Sequence, residues 1–254
     1  MGMVTAAMAT VMMGILEQKP DKRKSNIMLD HLEKGMKRER VRLLAHLKGR
    51  GYLKTAVVEE AMLRVPRHLF VPDRLLGQAH VDSPLSIGEE QTISAPHMVA
   101  IMAEELDIKP GERLLEVGGG SGYHAAVYAY LAGPEGLVVS LERVGGLVRQ
   151  GARNLKELGR YEIPLSPIRL LHRDGKLGYP EAAPYHKISV ACTASSVPQA
   201  LVEQLAEDGV MVLPVGPANP FHGQELLRVE RKDGEILKKR LASVAFVPLK
   251  TGTR

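Results

Sequence analysis

The chain has 254 residues, a formal net charge of +5 at neutral pH, one cysteine, no tryptophan and 4% aromatic residues. This length suits one large α/β domain, and a single cysteine excludes an intrachain disulfide and a multi-cysteine zinc site. Because few aromatic side chains are available to stack on unpaired bases, we expect no nucleic-acid partner, and we expect a cytoplasmic protein.

The first eighteen residues are apolar or small, with Glu17 as their only charged residue. This run is shorter than the roughly 20 residues that a membrane-spanning helix needs, and the basic residues follow it, whereas in a signal peptide they precede it. We therefore expect no membrane span. We interpret residues 1–24 as an N-terminal extension, helical or disordered, and residues 25–254 as a single domain, with Met28 or Met36 as alternative start sites.

The positive charge is concentrated between Lys19 and Arg50, where eleven Lys or Arg face four Asp or Glu. The first eighteen residues carry a net charge of −1, and so do residues 51–254. The basic character therefore belongs to an N-terminal arm and not to the rest of the domain. Exposed helices rich in Lys and Arg explain this arm as well as a polyanionic partner does.

Two helices are predicted before the first segment rich in proline and glycine. Apolar residues recur at helical spacing over residues 25–51, where Gly-Arg-Gly ends the pattern, and over residues 55–65, which Pro66 ends. Prolines and glycines then argue against long regular elements until Pro96 begins the next helix. Loops of this length in a compact domain are usually functional, so we expect a functional segment within residues 64–106.

A strand, a glycine turn and a helix follow one another in the stretch LLEVGGGSGYHAAVYA, residues 114–129. Gly118, Gly120 and Gly122 stand at alternate positions, where they allow positive φ and a close approach of a ligand to the main chain. The free N–H groups at the start of the helix point to the same place. The stretch therefore predicts a cofactor site.

The acidic residues around this turn narrow the kind of cofactor. A dinucleotide fingerprint needs its third glycine one place later, where this chain has Tyr123. Glu116 precedes the turn, and the next strand ends in Glu142, 24 residues beyond Gly118. This is close to the distance at which an acidic residue reaches ribose hydroxyls in nucleotide-binding βαβ units, so Glu142 is the candidate ribose ligand.

The rest of the chain alternates helices and strands and ends in a hairpin. We predict helices over residues 145–159 and 197–205 and strands over residues 168–171, 188–191, 210–215, 225–231 and 241–249. Lys232-Asp233-Gly234 is the predicted turn between the last two strands. This order predicts an α/β fold with an open, mostly parallel sheet, helices on both faces and an antiparallel end.

The glycine turn, with Glu116 before it and Glu142 after it, resembles motif I and the following acidic strand end of the class I S-adenosylmethionine-dependent methyltransferases. The resemblance implies their Rossmann-like fold, S-adenosyl-L-methionine as cofactor and S-adenosyl-L-homocysteine as product. Gly118, Gly120 and Gly122 are then cofactor contacts. No metal is expected, because no His, Cys, Asp or Glu cluster in the sequence has metal-ligand spacing.

Motifs on both sides of this turn are similar to those of the protein-L-isoaspartate O-methyltransferase family. They are VPRHLFVP, DSPLSIG and QTISAPHMVA before the turn and APY, VPQALVEQL and LPVGP after it, in the family's order over residues 64–249. The resemblance implies methylation of the free α-carboxylate of L-isoaspartyl residues, which leads to succinimide formation and repair. The partners are then damaged proteins and peptides, and we expect a monomer without a membrane partner.

The same resemblance assigns residues to the site. Residues 25–112 provide N-terminal helices and a substrate loop, with Ser94 at the active-site position, and residues 113–254 provide the cofactor-binding sheet and C-terminal strands. Asp174 and Gly175 are expected at the adenine. Substrate contacts are expected from Asp82, Thr92, Ile93, Ser94 and Val247.

Methyl transfer to a carboxylate needs no general base, because an acceptor pKa of about 3.9 leaves the group ionised at neutral pH. Positioning in a dry site is the main requirement. Ser94 and Thr92 are candidates to orient the carboxylate, although their hydroxyls also suit local capping before the helix at Pro96. His97 stays outside the catalytic set, and we interpret Cys192 as a small core residue, since this transfer needs no covalent intermediate.

Two positions depart from the family pattern. Arg173 replaces a glycine and either pairs with Asp174 or points to solvent, and His186 replaces an aspartate, which we interpret as a structural variation. Two other functions stay open. An RNA methyltransferase would use the basic arm, but residues 191–194 lack the Asn/Asp-Pro-Pro-aromatic tetrad of amino-group methylation. A catalytically inactive cofactor-binding homologue would explain both departures.

Overall fold

The computed structural model describes residues 22–219 and 222–254, with side chains from residue 33 onward. The predicted extension therefore lies outside the described residues up to residue 21, and its last three residues begin the first helix. The α-helices are α1 (Lys22–Gly49), α2 (Ala56–Arg64), α3 (Pro96–Leu106), α4 (Tyr123–Ala132), α5 (Gly145–Leu158) and α6 (Gln199–Glu203). Short 3₁₀ helices lie at Arg67–Phe70, Asp73–Gln78, Gly159–Tyr161, Gly175–Leu177 and Pro180–Ala182.

The strands form a two-stranded hairpin and a seven-stranded sheet. They are β1 (Leu85–Gly88), β2 (Gln91–Ile93), β3 (Arg113–Val117), β4 (Leu137–Glu142), β5 (Ile168–His172), β6 (Tyr185–Val190), β7 (Leu205–Val215), β8 (Gln224–Lys232) and β9 (Glu235–Val244). The sheet order is β5-β4-β3-β6-β7-β8-β9, with β5 to β7 parallel and the last two pairings antiparallel. The predicted α/β fold with an antiparallel end is confirmed.

Both faces of the sheet are covered by apolar layers. Leu114 and Val138 pack on the side of α1 to α5, whereas Leu115 and Val139, one residue further along each strand, pack on the side of α6. Successive side chains of a strand point to opposite faces, so apolar runs such as Leu114-Leu115 are what a strand buried on both sides requires. Helix α4 is buried on nearly all sides, which fixes the position of the glycine turn before it.

Helix α1 lies against the body of the protein. The side-chain Oε1 of Glu33 is 3.0 Å from His68 Nε2 and accepts a hydrogen bond from the Tyr161 hydroxyl. The basic side chains of Lys37 and Arg38 are exposed, whereas Arg40 is 7% exposed. The exposed-helix explanation therefore accounts for most of the described basic arm but not for Arg40. Among all the residues that the structure describes, no helix is both long enough and apolar enough to cross a bilayer.

The last strand begins and ends earlier than predicted. It was predicted over residues 241–249, but β9 pairs with β8 along residues 235–244. Asp233 and Gly234 form the turn with φ of 52° and 76°, as a two-residue hairpin turn with positive φ at both positions requires. β9 is one of the two edge strands of the sheet. It carries three consecutive cations at residues 238–240, so its first half lacks the apolar alternation on which the prediction relied.

Two further observations concern β7 and the segment before α3. β7 begins at Leu205 and not at residue 210, so α6 is shorter than predicted. Asp208 takes a φ of 58° within this strand. The segment before α3 was predicted to lack long regular elements, and within it the structure has short 3₁₀ helices and the short β1–β2 hairpin. Its tip residues Glu89 and Glu90 have φ of 52° and 58°, a conformation that glutamate rarely signals in a sequence.

Candidate active site

A cavity opens at the carboxyl ends of β3, β4 and β6, in the middle of the sheet. The empty space between its walls, with the open solvent at its mouth included, is about 820 Å³. β4 lies on one side of β3 and β6 on the other, and such switch points are where open α/β sheets bind ligands. The lining includes Thr92, Ile93, Ser94, Glu116, Gly118, Gly120, Glu142, Gly175 and Val247.

The glycine turn forms the floor of this cavity next to β3. Gly118 and Gly120 have φ of 92° and 53°, and the N–H groups of Gly118 and Gly119 both donate to the Leu141 carbonyl, at 2.9 and 3.1 Å. Position 119 also requires glycine, which the alternate spacing of Gly118, Gly120 and Gly122 did not indicate. A Cβ on this residue would lie 2.3 Å from the Ser140 hydroxyl oxygen, so the middle glycine of the run has no room for a side chain.

Glu142 is buried where β4 ends, beside the glycine turn. The Val144 N–H donates to its Oε1 at 2.8 Å, and the Gly120 N–H donates to its Oε2 at 3.0 Å. Each carboxylate oxygen has two lone pairs, so each can accept a second hydrogen bond from a ligand. The carboxylate is therefore held in place by main-chain donors while it still offers two acceptors in the cavity.

Glu116 lies deeper, in the middle of the sheet, and is 1% exposed. Burial raises the pKa of its carboxyl to about 8, with a smaller rise from the charge of Glu142 and an opposing effect of the Ser140 hydroxyl, which donates to it. The neighbouring His124 Nδ1 is 3.9 Å from Glu116 Oε1, and burial lowers the pKa of this imidazole to about 4. Both groups are thus mainly uncharged at neutral pH in this structure.

The raised pKa of Glu116 predicts a pH-dependent effect of Glu116→Gln. In the unfolded chain the carboxyl ionises near pH 4.3, so between about pH 5 and 8 only the folded protein holds the proton. The unfolding free energy of the unmodified protein should therefore fall with rising pH, by up to about 1.4 kcal/mol per unit from this group. Glutamine does not ionise, so urea unfolding should show the variant gaining relative stability from pH 5 to pH 8. A difference that stays constant over this range would contradict the assignment.

The opposite wall of the cavity comes from the segment between β2 and α3 and from residue 247. Ser94 lies between the last residue of β2 and the first turn of α3, and Thr92 and Ile93 precede it in β2. Val247 is held beside the carboxyl end of β6, because its carbonyl accepts a hydrogen bond from the Thr193 N–H at 2.8 Å. The predicted substrate residues of both segments therefore line the same cavity as Glu142.

Three predicted site residues lie outside the lining. Asp82 Oδ1 accepts the N–H of His97 at 2.9 Å and is the same distance from the His97 Nδ1 atom, so it orients the first turn of α3. Gly122 begins α4 with a φ of 87°, and a Cβ there would lie 3.4 Å from Leu155. Asp174 accepts the N–H groups of Lys176 and Gly252, at 2.9 and 2.6 Å.

The two departures from the family pattern have structural partners. Arg173 pairs with Glu181 at 3.6 Å and lies over the ring of Tyr179, 5.4 Å from its centroid. It therefore pairs with a residue other than Asp174. His186 Nδ1 accepts the Arg113 N–H at 3.0 Å, at the amino ends of the strands and away from the cavity, which supports its interpretation as a structural variation.

Several lining residues were not among the predicted contacts. They are mostly neighbours of predicted ones or follow strand ends, and include Gln91, Ser121, Tyr123, His124, Leu141, Arg143, Val144, Ala191, Cys192, Leu249 and Lys250. Cys192 also belongs to the core on the α6 side, and burial raises the pKa of its thiol to about 12. The thiol is therefore uncharged and packs as an apolar group.

The sequence matches one enzyme family over most of its length. The family described as Protein-L-isoaspartate(D-aspartate) O-methyltransferase (PCMT) matches residues 38–254. The protein-L-isoaspartate O-methyltransferase of Methanopyrus kandleri is 51% identical over 218 residues, which is 85% of this chain and 93% of the relative. That of Ignicoccus hospitalis is 46% identical over 214 residues, covering 84% and 98% of the two chains.

Solved structures agree with the sequence matches. The beta-aspartate methyltransferase (PCMT) of Plasmodium falciparum, crystallised with S-adenosyl-L-homocysteine, superposes with a TM-score of 0.74 at 32% identity, over 83% of this chain and 98% of that one. A second protein-L-isoaspartate O-methyltransferase superposes with the same TM-score at 29% identity, over 84% of this chain and 66% of the longer one.

Proposed function

Because the chain belongs to the protein-L-isoaspartate O-methyltransferase family, we propose that its cavity holds S-adenosylmethionine beside the α-carboxylate of an isoaspartyl residue. The chain is an S-adenosylmethionine-dependent methyltransferase of protein repair. In the proposed site the cofactor lies on the side of the glycine turn and the acceptor on the side of Ser94. The observation that carries this arrangement is that Thr92, Ser94 and Glu142 line one cavity.

The cofactor half rests on Glu142 and the glycine turn. Bound S-adenosylmethionine supplies a sulfonium methyl group. Glu142 has two free acceptor positions for ribose hydroxyls, and the turn at Gly118 to Gly120 lets a ligand approach the main chain without side chains in the way. Asp174 and Gly175, where β5 ends, are the proposed adenine neighbours. The S-adenosyl-L-homocysteine in the Plasmodium falciparum relative supports the choice of cofactor.

The acceptor half rests on the segment from Thr92 to Ser94 and on Val247. Their role is to hold an already ionised carboxylate in line with the methyl group, because at neutral pH no proton has to be removed. The apolar side chains of Ile93 and Val247 help to keep water away from the reacting atoms. The Ser94 hydroxyl is the proposed donor to the carboxylate, and Asp82 fixes the first turn of α3 behind it.

We also propose that the protein acts as a cytoplasmic monomer on damaged proteins and peptides, without a nucleic-acid partner or a metal. In support, residues 51–254 carry 23 Lys or Arg and 24 Asp or Glu, so the catalytic body offers no net positive charge to a phosphate backbone. We retain residues 25–254 as one domain. Residues 238–240 of β9 form a second, short exposed basic stretch, and the family match begins within the arm, at residue 38.

Ser94→Ala tests the acceptor side of the site. A hydrogen bond to a charged group contributes about 1.5–3 kcal/mol, so we expect kcat for an isoaspartyl peptide to fall at least tenfold, while the dissociation constant of S-adenosyl-L-homocysteine stays within about twofold. Steady-state methyl transfer and calorimetry measure the two quantities. The matched control is Ser86→Ala, because Ser86 is an exposed serine of β1, in the hairpin that precedes Ser94. An unchanged kcat, or a loss confined to cofactor affinity, would contradict the role of Ser94.

A further inference from the structure

Residues 251–254 connect the segments that follow β4 and β5 to the tip of the β1–β2 hairpin, and we call them the latch. All four are exposed, and they continue directly from Leu249 and Lys250, which line the cavity. We propose that the latch holds the cavity closed and that its opening sets the rate at which cofactor enters and leaves. This inference rests on the proposed function, because it takes the cavity to be the S-adenosylmethionine site.

The main chain of the latch is bonded to residues that follow β4 and β5, of which Arg143 also lines the cavity. The Gly252 N–H donates to Asp174 Oδ2 at 2.6 Å, and the Gly252 carbonyl accepts from Arg143 Nε at 2.8 Å. The Arg254 N–H donates to the Arg143 carbonyl at 2.8 Å, and the Arg254 carbonyl accepts from the Gly145 N–H at 2.7 Å. These partners surround the proposed adenine end of the site.

The side chain of Arg254 connects the latch to the opposite wall. Its Nη2 donates to the Glu89 carbonyl at 2.8 Å and lies 4.0 Å from Glu89 Oε2. Glu89 is at the tip of the β1–β2 hairpin, whose second strand leads to Ser94. The same hairpin approaches the glycine turn, where a Cβ on Gly120 would lie 3.4 Å from Ile87 Cδ1. Arg254 therefore ties the acceptor wall to the cofactor floor.

This arrangement makes the latch a barrier to exchange that can still open. Cavities closed by loops or segments have to open before ligands are released. The side chains of Arg254 and Glu89 are 42% and 49% exposed, and exposed ion pairs contribute little stability.

Arg254→Ala removes the link to the hairpin and keeps the main-chain bonds of the latch. Because the link closes the cavity whether or not cofactor is bound, we expect the association and dissociation rates of S-adenosyl-L-homocysteine both to rise about fivefold, with the dissociation constant within about twofold. Surface plasmon resonance on the immobilised full chain measures both rates. Deletion of residues 251–254 should raise both further. Arg240→Ala removes another exposed pair, with Glu225 on β8, and should change neither rate.

Two results would overturn the latch. One is a set of rates that neither Arg254→Ala nor the deletion changes. The other is a rise in the dissociation rate alone, matched by the dissociation constant, which would make residues 251–254 a ligand of the cofactor and not a gate. Failure of the cofactor assignment on which the latch rests is recognised separately, because the unmodified chain would then bind no S-adenosyl-L-homocysteine. Failure of the isoaspartyl assignment alone would appear in methyl transfer to peptides and would leave these binding rates unaffected.

Discussion

Replacing Glu142 by alanine is expected to weaken the binding of S-adenosyl-L-homocysteine by well over tenfold. The proposed role of this carboxylate is to accept hydrogen bonds from both ribose hydroxyls, and each bond to a buried charged group contributes about 1.5–3 kcal/mol. Since about 1.4 kcal/mol corresponds to a factor of ten, the loss of both bonds should dominate the affinity. Isothermal titration calorimetry of the variant with S-adenosyl-L-homocysteine measures this effect.

The structure also indicates how to separate binding from folding in this variant. Glu142 accepts the N–H groups of Gly120 and Val144, so its removal leaves two main-chain donors without this acceptor and should lower the melting temperature. Glu142→Gln keeps one acceptor oxygen and should fall between the two proteins in affinity. Glu135→Ala, at an exposed glutamate before β4, is the control and should bind normally. Unchanged affinity of folded Glu142→Ala would exclude the ribose role.

Much of the fold was predictable because β3, β4 and β6 lie within the sheet and are buried on both faces. Their apolar runs, the shorter run of the edge strand β5 and the helical spacing between them identify these strands and the helices that connect them. The glycine turn was equally visible, since Gly118 and Gly120 both take a positive φ that other residues avoid. The errors occurred in β7 and β9, where an edge position or a bend within a strand replaces the apolar pattern by charged residues.

The site was predictable where a residue follows a strand end and less so where contacts come from distant segments. Glu142 and Gly118 both line the cavity. This was expected, because they stand at the carboxyl ends of neighbouring parallel strands. Asp174 also follows a strand, but its carboxylate accepts an N–H from Gly252, 78 residues away, and no local pattern announces such a bond. The requirement at Gly119 arises in the same way, from the hydroxyl of Ser140 on the neighbouring strand.

An isoaspartyl peptide is expected to be methylated at least about 100-fold more efficiently than the same peptide with normal aspartate. In the isoaspartyl linkage the chain runs through the side-chain carbonyl, so the free carboxylate is displaced by one methylene from its position in aspartate. Ser94 and Val247 are held by main-chain structure, and a misplacement of about 1 Å from the reacting geometry costs on the order of 100-fold in rate. The discrimination should therefore appear in kcat/KM.

The most direct test is methyl transfer from radiolabelled S-adenosylmethionine to these two peptides, with RNA as a third acceptor in parallel. We expect labelled ester on the L-isoaspartyl peptide, its later loss as the ester cyclises to succinimide, and negligible label on the L-aspartyl peptide and on RNA. The folded Glu142→Ala variant, assayed below its cofactor dissociation constant, should show little transfer to any acceptor. Equal rates on the two peptides, or label on RNA alone, would contradict the assignment of this cavity to isoaspartyl repair.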